Sequence, residues 1–355
     1  MTNNEGRASR RYGTFSLFTL VSVYLLILVG GIVRTTGSGM GCPDWPKCFD
    51  KWVPPTSESE LPANYREIYS DYRHEKNIRF AKYLRSFGLD ETADQLLSDE
   101  KIREERPFNA VNTWVEYINR LLGALIGVFI LLTVIFAIRF IKSDPKIFYT
   151  ALATLILVLF QGWIGSIVVS TNLVPWMVTI HMLLAIVIVG MLVYLVYRSR
   201  KSFTEPYRIK EGLRSPLMFF LVVAMVIMVV QIVLGTQVRE EIDVIAESLG
   251  ASARESWIGM LDMIFVVHRS FSWIILFLNG YLFYLLWKQG IRLGLIGSIC
   301  LMVFGSFVSG VIMAYAGMPA AAQPVHLLLG TGIIGLQFLL FLHLRGSEPI
   351  KEDLI

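Results

Sequence analysis

Eight apolar stretches dominate this sequence, near residues 15–34, 116–138, 147–170, 176–197, 216–238, 264–287, 293–315 and 324–344. Each is long enough to cross about 30 Å of hydrocarbon at about 1.5 Å per residue. Inside lipid every backbone N–H and C=O must be satisfied within the protein, so runs of this length are read as helices. Composition agrees: only 17% of the 355 residues are charged, against about 25% in soluble chains. The fold class expected is an all-α integral membrane protein, with the lipid bilayer as its first partner. The formal net charge of +4 gives no reason to expect a nucleic-acid partner. Three cysteines are too few for a disulfide-rich secreted scaffold.

Arg7, Arg10 and Arg11 precede the first stretch, but it is too long for a signal-peptide core and no small-residue cleavage site follows. No Arg- and Ser-rich transit segment is present, so the expected location is a bacterial plasma membrane. Orientation follows from Lys and Arg in the short loops. They cluster at the N-terminus, at Arg139, Lys142 and Lys146, at Arg198, Arg200, Lys201, Arg208, Lys210 and Arg214, at Lys288 and Arg292, and at Arg345 and Lys351. Loops 171–175 and 316–323 have none, and in the 239–263 loop acids outnumber Arg239 and Arg254. Both termini are therefore placed in the cytoplasm. Loop 35–112 is external, and its stretches 62–87 and 91–105 are read as short amphipathic helices.

The halves repeat each other. Gly30-Gly31-Ile32-Val33-Arg34 ends the first span and Gly235-Thr236-Gln237-Val238-Arg239 ends the fifth. Asn119-Arg120 opens the second span as His268-Arg269 opens the sixth. Gly165 precedes His181 by 16 residues, and Gly310 precedes His326 by the same 16. The expected architecture is eight transmembrane helices as two repeated four-helix bundles, parallel in topology. The divisions are a cytoplasmic N-terminus (1–14), an N-terminal bundle (15–200) that includes the external loop, a cytoplasmic linker (201–215), a C-terminal bundle (216–345) and a cytoplasmic tail (346–355).

Asn119, His181, His268 and His326 all fall at the external ends of spans. Ionisable groups within a span are candidates for function. Two histidines on facing helices suit axial heme ligation, since neutral imidazole binds iron. Arg34, Arg120, Arg239 and Arg269 sit at the same boundary, where they serve either as counter-charges to heme propionates or as snorkelling interface residues. His74 is read as solvated and His343 as snorkelling. Trp45, Trp114, Trp176 and Trp257 are read as interface anchors. Only the first half carries a carboxylate, Glu116, three residues before the ligand position, and only it has a cysteine pair, Cys42 and Cys48. The ligand-complete half reads as a fixed electron-transfer site, and the altered half as the place where a substrate reacts. A non-catalytic membrane cytochrome b is the alternative. It predicts four good ligands or hemes at both faces. A transporter is disfavoured because the even-numbered spans read as smooth apolar runs below their external ends.

The stretch from Gly30 through Arg34-Thr35-Thr36-Gly37-Ser38-Gly39-Met40-Gly41-Cys42-Pro43-Asp44-Trp45-Pro46-Lys47-Cys48, with Glu116-Tyr117-Ile118-Asn119-Arg120 and His268-Arg269, resembles the heme A synthase family over about residues 15–345. The resemblance implies an oxidoreductase that converts the C8 methyl of heme O to a formyl group, giving heme A for cytochrome oxidase. It implies heme b as cofactor, held by His268 and His326 with Arg239 and Arg269 nearby. The substrate heme would lie near His181, Asn119, Arg34 and Arg120, with Glu116 as the essential carboxylate. Cys42 and Cys48 would match a pair able to form a disulfide, active or purely structural. Heme O synthase, cytochrome oxidase assembly proteins, an unknown electron carrier and a second copy of the chain are the partners implied. Asn119 departs from the family's histidine. An amide is a poor iron ligand, which leaves His181 as the only strong one in that half.

Overall fold

Among the described residues, eight helices are long and apolar enough to cross a membrane, and they coincide with the eight stretches read from sequence. The structure, a computed structural model, describes residues 3–201, 206–210, 212–291 and 293–350. Arg292, Lys351, positions 202–205 and 211 of the linker, and the end of the tail lie outside the described residues. The spanning helices are α1 (Asn3–Thr35), α5 (Ala110–Ala137), α6 (Pro145–Ser170), α7 (Pro175–Arg200), α8 (Arg214–Leu249), α9 (Met263–Lys288), α10 (Leu293–Tyr315) and α11 (Ala322–Arg345). Between α1 and α5 lie α2 (Tyr65–Ser86), α3 (Asp90–Ser98) and α4 (Glu100–Arg103). The chain is thus an all-α multi-pass membrane protein. Among the described residues, one small sheet pairs β1 (Arg208–Lys210) in parallel with β2 (Glu348–Ile350).

The spans are apolar on their outer faces as well as their inner ones. On α5, Leu121, Leu125, Val128, Leu131 and Ile135 are all exposed, at spacings of three and four. That stripe suits acyl chains. Its opposite face buries Thr113, Glu116, Ile126, Ile130 and Val134. Lipid tails are as apolar as leucine, so packing and interhelical hydrogen bonds must hold such helices together.

The chain divides into two compact units. The first comprises residues 1–28, 129–155 and 186–355. Within it α8 packs on α9, α9 on α10, α10 on α11 and α11 on α8, a closed ring of four. Polar side chains lie inside this ring. Gln337 Nε2 donates to Asn279 Oδ1 at 2.9 Å, and Asn279 Nδ2 donates to the Ile275 carbonyl at 2.8 Å. Both residues are fully buried. Spans six and eight are therefore not smoothly apolar, a correction to the sequence reading. Trp257 is also not an interface anchor. It is 3% exposed, packed with Val238, Ile242, Ile245 and Met318, and Arg254 lies over its ring. His343 sits between the rings of Tyr197 and Tyr207, each 5.1 Å away.

The second unit comprises residues 29–128 and 156–185. The loop stretches do form helices, the second of them broken into α3 and α4. Phe80, Ala81, Leu84, Ala93, Leu96 and Ile102 pack onto Ile164, Ile167 and Met177 at the ends of α6 and α7. A fully buried ion pair, Arg73 to Glu105 at 2.5 Å, ties α2 to the segment that leads into α5.

Candidate functional site

The C-terminal candidates converge in the α8–α11 ring. The His268 and His326 ring centres lie 6.3 Å apart, with ring planes at 67°. A metal about 2 Å from one nitrogen of each ring requires ring centres about 6 Å apart, so the spacing admits one metal atom between them. His326 Nδ1 lies 3.0 Å from the Ser306 carbonyl and 2.8 Å from the Ser309 hydroxyl. The carbonyl can only accept, so Nδ1 carries the proton and Nε2 keeps its lone pair free for ligation. His268 is held through its backbone, its carbonyl accepting from Gln231 Nε2 at 3.0 Å.

Glycines face these imidazoles. A Cβ added at Gly235 would lie 3.2 Å from His268 Cε1, and one at Gly310 would lie 3.6 Å from His326 Cε1. A side chain at 235 would press on the His268 ring, which would have to give by a few tenths of an ångström. Arg239 bonds Gln323 Oε1 and pairs with Asp243 at 2.6 Å. Arg269 is exposed and lies over the Phe265 ring.

In the second unit, His181 of α7 faces Gly165 of α6, where an added Cβ would lie 3.4 Å from Cε1. Its backbone carbonyl accepts from Gln161 Nε2 at 2.8 Å. Gln161 precedes Gly165 by four residues, as Gln231 precedes Gly235. These two glutamines were missed in sequence, although the shared spacing to a repeat-matched glycine was a signal that could have found them. Asn119 stands on α5 at the position matched to His268. Its Oδ1 is buried and lacks a hydrogen-bond partner among the described residues.

Glu116 and Arg120 are bound to the cysteine loop. Cys42 and Cys48 form a disulfide and are both fully buried. The Cys42 N–H donates to Glu116 Oε2 at 2.9 Å. Arg120 Nε donates to Glu116 Oε1 at 3.0 Å, and its terminal nitrogens reach the same oxygen and the carbonyls of Cys42, Asp44 and Lys47. A guanidinium has five N–H donors, and these contacts use all of them. In the structure the Arg120 donors go to Glu116 and the loop carbonyls. Gly41 lets the loop approach α5, since an added Cβ would lie 2.5 Å from the Asn112 backbone.

Outside the spans, Asp44 accepts from the Phe49 and Asp50 N–H groups at 2.6 and 2.8 Å and closes the loop on itself. Trp176 stacks on Phe80. Arg34 lies at the end of α1. His74 lies on α2 and joins neither histidine site.

The sequence matches the COX15-CtaA family, described as cytochrome oxidase assembly protein, over residues 13–87 and 93–338. Among curated relatives it is 27% identical to a heme A synthase of Shewanella oneidensis over 182 residues, 51% of this chain and 44% of that protein. It is 27% identical to a heme A synthase of Pelagibacter ubique over 232 residues, 63% of this chain and 60% of that protein. A heme A synthase of Ehrlichia canis is 25% identical over 177 residues, covering 47% and 43%. The chain therefore spans about half the length of the relatives it matches.

Proposed function

This chain belongs to the COX15-CtaA family of cytochrome oxidase assembly proteins, and from that premise we propose that it acts as a heme A synthase, oxidising the C8 methyl of heme O to a formyl group. The reading places one heme in each four-helix division, 15–200 and 216–345. The pair of half-buried imidazoles 6.3 Å apart, with Nε2 of His326 left free by its Nδ1 contacts, carries it.

In this reading His268 and His326 hold heme b. When bound, that heme would supply one-electron transfer. The protein's part is to fix the ligands. The Ser306 carbonyl and Ser309 hydroxyl set the tautomer of His326, and Gln231 anchors the turn bearing His268. Arg269, and Arg239 through its guanidinium, place positive charge near the propionate edge.

His181 holds the substrate heme, with Gln161 anchoring it in the same way. Arg34 supplies charge at the end of α1. Glu116 keeps a carboxylate under the cysteine loop, where it stabilises positive charge developing at the oxidised carbon or takes a proton from it. Oxidation of methyl to formyl proceeds by successive hydroxylations and loss of water; with water as the oxygen source, R–CH3 + H2O gives R–CHO + 4 H+ + 4 e−, and the electrons pass to an electron carrier. Heme O synthase and cytochrome oxidase assembly factors are the expected neighbours in a bacterial plasma membrane. Both termini would be cytoplasmic and both sites external, with self-association possible.

Extraction and chromatography of the hemes in the purified protein test this reading. Heme b together with heme O or heme A is expected, with His326→Ala losing heme b while retaining the other. Heme b alone, in wild type expressed with a heme O supply, would favour the electron-transfer cytochrome instead.

A further inference from the structure

The two sites differ at one matched pair of positions. In the C-terminal half the pair is His268 and Gly235, with the imidazole pressed to within 3.2 Å of where a Cβ on the glycine would stand. In the N-terminal half the matched pair is Asn119 and Gly30, and a Cβ on Gly30 would meet nothing within 4 Å. At Gly30 no side chain stands where the His268 ring stands at Gly235. Asn119 also presents a buried Oδ1 with no hydrogen-bond partner among the described residues. A buried amide oxygen without a donor is costly, and it signals a group that completes its bonding with something other than this chain.

The rest of the N-terminal site reproduces the ligand-bearing pattern. His181 faces Gly165 as its repeat-mate His326 faces Gly310, and its carbonyl accepts from Gln161 as the His268 carbonyl accepts from Gln231. One half thus offers two imidazoles, and the other offers one imidazole and one amide. Amide oxygen is a weak ligand for iron beside imidazole nitrogen.

Resting on the heme A synthase reading above, we propose that the substrate heme is held by His181 alone, and that the axial position on the Asn119 side takes a small exogenous ligand. That ligand is water in the ferric state, donating to Asn119 Oδ1, and a diatomic gas in the ferrous state, accepting from Asn119 Nδ2. The C-terminal heme, closed by His268 and His326, takes no such ligand. Ligand access is thereby confined to the half that holds the substrate, and Asn119 is the residue that sets it.

Carbon monoxide is the probe, used on full-length protein purified from cells that make heme O, with extracted hemes counted in the same sample. Wild type is expected to bind one CO per heme O and none per heme b, with a high-spin ferric signal from the heme O fraction. Asn119→His is expected to convert that signal to low spin and to reduce CO binding at least tenfold, with heme O content unchanged. Asn119→Leu, which removes the amide without adding a ligand, is expected to keep CO binding and shift the C–O stretching frequency. Heme O that is low-spin and refuses CO in wild type overturns this inference and leaves the underlying reading intact. An unshifted C–O stretch in Asn119→Leu overturns the assigned contact. Protein without heme O, or heme O retained in His181→Ala, overturns the reading beneath and this inference with it.

Discussion

Arg120 stands one helical turn beyond Glu116 on α5, and the two side chains together grip the backbone of the Cys42–Cys48 loop. Glu116 accepts the Cys42 N–H at 2.9 Å, and Arg120 donates to the Cys42 carbonyl at the same distance. Both faces of one peptide segment are thereby bound to an ion pair whose carboxylate is 4% exposed and whose guanidinium is 13% exposed. The disulfide is buried beneath this clamp, so a reductant reaches it only when the clamp opens.

Arg120→Lys keeps the charge but offers three donors in place of five. The disulfide is then expected to be reduced by added thiol at least tenfold faster, read by alkylation of Cys42 and Cys48 in a Cys300→Ser background. Breaking a buried pair costs about 3–5 kcal/mol when one partner is removed, so Arg120→Ala should also lower the melting temperature. An unchanged reduction rate in Arg120→Lys would show that the loop is held by something else.

Gly235 and Gly30 give a matched comparison. A methyl at 235 meets His268 at 3.2 Å, and one at 30 meets nothing within 4 Å. Gly235→Ala is expected to cost about 1–3 kcal/mol by overpacking and to perturb the spectrum of the C-terminal heme. Gly30→Ala is expected to be neutral or to gain up to about 1 kcal/mol from helix propensity. Equal effects at the two positions would contradict the packing described here.

The buried Asn279–Gln337 bond joins α9 to α11, the two helices that carry His268 and His326. Interhelical hydrogen bonds in membranes average about 0.6 kcal/mol and reach about 1.7 kcal/mol. A double-mutant cycle with Asn279→Leu and Gln337→Leu, followed by thermal unfolding, is expected to return a coupling in that range. A coupling near zero would mean that each side chain is satisfied separately.

Glu60 accepts from the Thr56 N–H and hydroxyl at 2.9 and 2.8 Å, and these bonds hold its carboxyl down to about 2. A folded-state value below the ordinary one near 4.5 means stabilisation is complete above about pH 4.5 and is lost as pH falls through about 2. Protection factors of the amides in residues 56–61, corrected for intrinsic exchange, are expected to fall across that window in wild type. The same window should be flat in Glu60→Gln, and a flat wild-type profile would remove the cap.

The spans were legible because hydrophobic length alone selects helices in lipid. The loop helices were legible from the apolar positions among the charges of 65–86. His181, His268 and His326 stood out because the repeat marks them. Three features were less visible. Gln161 and Gln231 act through backbone carbonyls on a neighbouring helix, and only their shared spacing of four to a glycine marks them in the sequence. Asn279 and Gln337 are single amides in apolar runs, and they are stable there only because each finds the other. Arg120 reads as a boundary cation until the loop folds back on it, since its partners are carbonyls that any residue could supply.

The most direct measurement is heme A itself. Cells that make heme O but lack their own heme A synthase are supplied with this chain, and their extracted hemes are separated by chromatography. Heme A is expected with wild type, and at least tenfold less with His181→Ala or Glu116→Ala present at equal membrane levels. Heme O without any heme A from wild type carrying both hemes would contradict the proposed activity, and undiminished heme A from Glu116→Ala would contradict the role given to its carboxylate.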